Sequence, residues 1–472
     1  MQLPIIEPAP IVMEHTQVFR DLFENRKQFR HFQNYVTGLL VLDNKSMANI
    51  SRCILDSADK TNLSRFFSEA EWFQDEVNTR RIAYVLEQTD ISRAPATESC
   101  LILDDTLCEH VGSLFEYIDR HYNHGDSTYP LAHNLVTSHY LSHAVRFPVD
   151  ARLYRRYEEM TQWEHFVQQY FPDRKIPRQK KARATLHKEV DATLLQDPEF
   201  ARLAAQFHTK ISLAGELVAQ AIARQLPFQT VLMDSWFLAP ELLAVLEQQK
   251  KDWISLIKTN RNLEVASFTL RDAEGQPVSI PGPAIKVDAL VALLPATAYK
   301  PITIGETTYY CFTKTLRIPS LGRVRIVISF ANANLKGSYA VLVTNRTDWT
   351  ATQILQRYLQ RWPIETFYQD GKGHLGLAAY RMRTAKAITK HWCLVFVAYS
   401  LAHLECLPPR PGAGTGKLPT HPIQTIGDVC RQQGQALVQA LILYAHNLLQ
   451  QGEPVQEVFA QLFAKQAVMA TS

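Results

Sequence analysis

The chain reads as a mixed α/β fold: a mixed sheet flanked by helices, interrupted by a β-rich insertion, with helical regions at both ends. Three observations predict it. A strand-like run and a hairpin-like pair occur between residues 99 and 156. An alternation of helix and apolar strand follows, up to residue 258. Helical periodicity then disappears from Thr259 to Asn345 and returns at Thr350.

Composition narrows the class. At 472 residues the size prior is roughly two to four domains. Hydrophobic content of 46% and charged content of 20% describe an ordinary globular chain. Net charge is +4, too small to announce a nucleic-acid partner, so local clustering has to carry that argument. Seven scattered cysteines contain no C-x-x-C pair, which argues against a disulfide framework or a zinc module. MQLPIIEPAP has no basic segment leading into an apolar run, and Trp392–Leu404 is too short and interrupted to cross a bilayer. The expectation is a cytoplasmic protein with access to chromosomal DNA.

The elements divide into five segments. Residues 1–97 read as helical, including a helix over Val18–Gly38. Ser46 caps a short helix over Met47–Leu55, and a second short helix follows the polar turn Asp56–Lys60. That pattern is compatible with a helix-turn-helix, with Lys45 among its candidate phosphate contacts, but the sequence favours a plain helical bundle. Residues 98–258 begin with SCLILDDT, a short strand ending in two acids, then 131–142 and 144–156 as a hairpin. Arg174–Lys188 holds seven Lys/Arg and no acid, among them Arg178, Lys180, Lys181 and Arg183. It suits a DNA backbone or a solvated face. One amphipathic helix is expected over Asp197–Gln225, then a strand ending at Asp234, a helix over Pro240–Gln249 and a strand over 253–258. Residues 259–345 form the insertion, with strand-like runs that include AIKVDALVALL, TTYYCFTKTLRI, GRVRIVISFA and YAVLVTN. Residues 346–404 are helical. Residues 405–472 comprise a Pro/Gly linker and amphipathic helices suited to docking on the core or on a second protomer.

The chemistry concentrates in TATQILQRYLQRWPIETFYQDGKG, Thr350 to Gly373. At about 100° per residue, Tyr358, Arg361, Glu365 and Lys372 fall within roughly 60° of one helix face, with Pro363 expected to kink the helix. Two cations and a phenol around one carboxylate suit a phosphodiester and a metal ion; the same residues also describe a solvated face with an Arg361–Glu365 pair. Asp104 or Asp105, Asp234 and Glu365 are three acids in order. Carboxylates at strand ends beside an acidic helix can hold two hard divalent ions ~3.5–4 Å apart. Oxygen ligands favour Mg²⁺ or Mn²⁺ over Zn²⁺. Trp236 and Phe237 read as core.

The spacing Tyr-x2-Arg-x3-Glu-x6-Lys resembles the signature around the last carboxylate of bacterial insertion-sequence transposases, cut-and-paste DDE enzymes with an RNase H-like core. Trp362, directly after the arginine, also fits. The resemblance implies a metal triad of Asp104, Asp234 and Glu365. Asp104-Asp105-Thr106 is similar to the family's Asp-x-Thr, with Asp105 as a rival first ligand. It further implies DNA contacts from Tyr358, Arg361, Trp362 and Lys372. The implied partners are double-stranded DNA, as terminal inverted repeats and target, and a second copy of the chain in a homodimer. A base flipped onto Trp362 or onto Tyr309, Tyr310 or Phe312 is part of the same expectation. A DNA-binding protein without catalysis and an RNase H-like structure-specific nuclease remain open alternatives.

Overall fold

The computed structural model describes residues 3–55, 60–91, 94–123, 125–408 and 425–467. Six strands form the core: β1 (Ser99–Glu109), β2 (Asp119–Arg120), β3 (Leu131–Ser142), β4 (Val145–Tyr154), β5 (Thr230–Met233) and β6 (Asp252–Leu256). β1 is central. It pairs antiparallel with β3, which pairs antiparallel with β4, while β5 lies parallel to β1 and β6 parallel to β5. This is the RNase H-like arrangement, a three-stranded antiparallel unit continued by parallel strands.

The insertion contributes β7 (Asn262–Glu264), β8 (Phe268–Arg271), β9 (Pro277–Ile280), β10 (Ala284–Lys286), β11 (Lys300–Ile304), β12 (Thr307–Ile318), β13 (Gly322–Phe330) and β14 (Tyr339–Thr344). β14 pairs antiparallel with β6, so the insertion extends the core sheet to 12 strands; β8 and β9 form a separate hairpin. The sheet separates two apolar layers. Cys100, Ile102 and Leu232 face one, together with the N-terminal helices and the helices Pro363–Gly373 and Ala385–Glu405. Leu101, Leu103, Val231 and Met233 face the other, against the helices Lys210–Ala223 and Pro240–Gln248. The alternation along β1 is the period-two signature of a strand covered on both faces.

Several expected elements change. β1 continues past its acids to Glu109, because β3 pairs with it along its whole length. The helix expected over Asp197–Gln225 is two, Pro198–Ala205 and Lys210–Ala223. Asp197 caps the first and Thr209 caps the second by accepting from Ser212 N, so the chain restarts instead of continuing. Within AIKVDALVALL only Ala284–Lys286 is a strand; Val287–Leu293 is a helix, with Val287 and Leu290 buried at helical spacing. The short N-terminal helices are Met47–Cys53 and Lys60–Ser68, with Ser46 capping the first. The turn over 56–59 and most of the linker over 405–422 lie outside the described residues. Among the described residues, no helix is long and apolar enough to cross a membrane.

One buried cation ties the N-terminal helices to the core. Arg81, on the helix Gln74–Thr89, is fully buried. It donates to Asn78 Oδ1, to Ser400 Oγ at 2.7 Å, and to the carbonyls of Pro148 and Val149 at 2.7 and 3.0 Å. The Arg81 guanidinium thus joins its own helix, β4 and the helix Ala385–Glu405. Burial lowers its pKa to about 9, which makes every donated bond necessary. Arg81→Ala removes these bonds and leaves two strand carbonyls without this donor. The expected loss is about 3 kcal/mol, read as a fall in the denaturation midpoint.

Candidate active site

The site is assembled by the register of two parallel strands. Leu103 of β1 pairs with Met233 of β5, so the next residues, Asp104 and Asp234, lie side by side. Both belong to the face of Ile102 and Leu232. β5 ends at Met233, which frees Asp234 from the ladder. Asp234 Oδ1 then accepts the backbone N–H of Trp236 at 2.9 Å and of Phe237 at 3.4 Å, closing a tight turn after the strand.

The expected kinked helix is instead two helices, Ala351–Leu359 and Pro363–Gly373. Thr350 and Gln353 form a capping box at the start of the first. Residues Gln360 to Trp362 make the join, and Pro363 takes the first helical position of the second, where its missing donor costs nothing. The break turns Arg361 toward the sheet. Its guanidinium donates to Asp104 Oδ2 at 2.5 Å and to Glu365 Oε1 at 3.0 Å. Tyr368, one turn after Glu365, hydrogen-bonds Thr137 of β3 at 2.5 Å, and Thr137 donates to the Asp104 carbonyl at 3.4 Å. The helix bearing Glu365 is therefore fastened to the strands bearing Asp104.

Pleat parity separates the two adjacent acids of β1. Asp104 faces the Glu365 helix, whereas Asp105 shares the face of Leu101 and Leu103 and pairs with Lys210 at 2.9 Å. Burial pushes the Asp104 carboxyl up to about 7; Arg361 opposes the shift and Asp234 adds to it. Asp234 is raised too, chiefly by burial, with the Trp236 and Phe237 N–H groups opposing it. Burial also raises the Tyr358 hydroxyl to about 12, despite nearby Arg361.

A cleft of about 720 Å³ opens on these groups. Asp104, Asp105, Glu109, Asp234 and Glu365 line it, against Lys210, Lys258 and Lys372. Five carboxylates against three ammonium groups make a floor that repels a polyanion unless cations are added. The donors are all oxygen, two of them carboxyls whose ionisation burial disfavours, so the chemistry fits a hard divalent ion. Arg361 occupies the position between Asp104 and Glu365, as a cation would. The ligand atoms of Asp104, Asp234 and Glu365 do not form a close cluster; among the described residues the one such group is Glu14, His15 and Glu405, remote in sequence from the cleft.

The remaining expected residues fall as follows. Lys372 lines the cleft, and Trp362 stands 67% exposed at the start of the Glu365 helix. Arg178, Lys180 and Lys181 are exposed, the two lysines in the first turn of the helix Lys180–Leu194. Arg183 is committed elsewhere: it pairs with Glu158 at 2.5 Å and with Glu164. That run belongs to a small helical unit with its own core of Trp163, Phe166, Leu186 and Phe200. Lys45 is buried and donates to the Leu39 carbonyl at 2.6 Å, so it is no phosphate contact. Phe312 is buried, and Tyr309 and Tyr310 are partly so. Phe237 is core as expected, but Trp236 is 50% exposed, because the turn at Asp234 sends the two neighbours to opposite sides. Lys210, Lys258 and Tyr368 were missed. Lys210 follows the capping residue Thr209, a signal that places it at a helix start but not beside Asp105.

A family model described as DDE superfamily endonuclease matches residues 18–306. That range holds Asp104 and Asp234 and ends before Glu365. No curated protein matches the chain.

The Asp104 shift fixes a pH dependence. Folded Asp104 holds its proton more tightly than the unfolded carboxyl, whose value is 3.8. Its contribution to stability is therefore fully present at low pH and is lost as pH rises toward about 7. Asp104→Asn removes that dependence. With chelator present, the melting temperature of the variant minus that of wild type should climb between about pH 4 and pH 7 and level off above that. A flat difference would show that Asp104 ionises in the fold as it does in water.

Proposed function

The chain belongs to the DDE superfamily endonucleases, and from that premise we propose that it is a DNA transposase. In this reading a dimer binds the terminal inverted repeats of an insertion sequence, cleaves the ends and joins them to target DNA. One observation carries it: Asp104 and Asp234 lie side by side on adjacent parallel strands, with Glu365 tied to Asp104 through Arg361.

Asp104, Asp234 and Glu365 are the residues that would hold Mg²⁺ or Mn²⁺, two ions in the full site. Bound there, the metal supplies Lewis-acid activation of the attacking oxygen and stabilises the leaving oxygen. The protein's own part is positioning and charge. Arg361 neutralises the carboxylates in the free protein. Its fork can grip a phosphate once that role passes to other cations. Lys372, projecting into the same cleft, offers a second phosphate contact, and Tyr358 holds a neutral hydroxyl behind Arg361. Trp362 presents a face beside the cleaved end. Lys180, Lys181 and Arg178 track the backbone farther out, where the helix start adds favourable dipole. Strand scission by water and joining by a 3′-hydroxyl would use the same protein groups with a different nucleophile.

The test is a cleavage assay on DNA carrying the repeats that flank the gene. Metal-dependent nicking at the repeat boundary is expected from wild type. Glu365→Gln and Asp234→Asn should each lower the rate by at least about a hundredfold with binding retained. Equal cutting by Glu365→Gln removes Glu365 from the site. Cutting of branched DNA without joining points to a structure-specific nuclease. Repeat-specific binding with no cutting in any metal points to a binding protein.

A further inference from the structure

Trp236 lies in the turn that follows β5, beside the carboxylate cleft. Asp234 Oδ1 captures its N–H, buried Phe237 anchors the next position, and the indole is left half exposed. Two ammonium groups sit on this ring: Lys210 Nζ at 5.6 Å and Lys258 Nζ at 5.3 Å from its centroid. Lys210 is already paired with Asp105. Lys258 is exposed and has no salt bridge among the described residues. The indole and both lysines form the shared wall of two spaces: the carboxylate cleft, and a side pocket of about 310 Å³ completed by Tyr154, Phe207 and Ile211. An aromatic face, an apolar recess and a free cation, two residues from Asp234, are the parts of a nucleotide site.

We propose that Trp236 is a stacking platform for an unpaired nucleobase of the DNA strand in the cleft, with Lys258 holding the adjoining phosphate. The site is distinct from Trp362, which lies on the opposite element, and it rests on the reading of the cleft as a DNA site. Its specificity is for single-stranded character, since a paired base has no free face to offer. The base enters the side pocket while its phosphate stays over the cleft. Lys210 keeps Asp105 neutralised beneath the ring.

The experiment uses the full-length protein with Ca²⁺ in place of Mg²⁺, so that the cleft carboxylates are neutralised while cutting is suppressed. The probes are a short oligodeoxynucleotide containing one 2-aminopurine, and its fully paired duplex. Anisotropy reads binding, and 2-aminopurine fluorescence reads stacking. Wild type should quench the single-stranded probe. Trp236→Ala should lose the quenching and bind the single strand about tenfold more weakly, with duplex affinity within about twofold. Trp236→Phe should recover part of the quenching, and Lys258→Gln should weaken single-strand binding with quenching retained at saturation. Undiminished quenching by Trp236→Ala overturns the inference while leaving the DNA reading intact. Equal weakening of duplex and single strand also overturns it, since that is a groove contact and not a stack. Failure of wild type to bind either probe overturns both readings.

Discussion

The guanidinium of Arg361, shared between Asp104 and Glu365, is the contact around which the site is organised. It joins the centre of the sheet to a helix more than 250 residues away in the chain. A buried carboxyl beside a second carboxyl is expensive, and a single fixed cation offsets part of that cost. The arginine is rigid, planar and two-pronged, so it sets the spacing of the acids as well as their charge. Tyr368 and Thr137 fasten the same helix to the sheet one turn farther on. The geometry therefore has two fastenings, one charged and one neutral, and only the charged one contends with an incoming ion or phosphate.

β1 distributes its acids by parity. Two consecutive aspartates on a strand point to opposite faces, and each finds its own cation from the layer on that side. Asp104 takes Arg361 from the helical layer that carries Glu365; Asp105 takes Lys210 from the helix on the far face. Parity makes Asp104 the partner of Asp234 and Glu365, and makes Asp105 a support for the opposite wall. The adjacent acids thus have different work, although they share one cleft.

Much of this was legible in the chain. The antiparallel pair over 131–156, the strand before Asp234 and the break at Pro363 follow from alternation, apolar runs and proline chemistry. The Tyr358, Arg361, Glu365 and Lys372 spacing leads to the cleft that Glu365 and Lys372 line, although the residues lie on two helices and a turn, so a single-helix wheel only approximates their directions. What stayed hidden was non-local. Whether Arg183 is free or paired depends on Glu158 and Glu164, which fold against it from another helix. Trp236 and Phe237 are both aromatic and adjacent, so hydropathy alone places both in the core; the turn after β5 buries Phe237 and leaves Trp236 half exposed. The continuity of the insertion with the core sheet is a pairing of β14 with β6, and a pairing partner is not written in either strand.

Charge placement explains why a net of +4 says so little here. The cleft floor is acidic, while cations stand at its walls and on the separate helical unit that carries Lys180 and Lys181. A nucleic acid held by that outer unit would meet the acids only where the backbone dips into the cleft. There, under the proposed function, divalent ions would remove the repulsion between phosphate and carboxylate. Under the proposed function this distribution would separate holding from cutting: basic surface would retain the polymer, and the acidic floor would admit a phosphodiester in the presence of metal. A uniformly basic cleft would bind DNA more tightly and would have no place to put the ions.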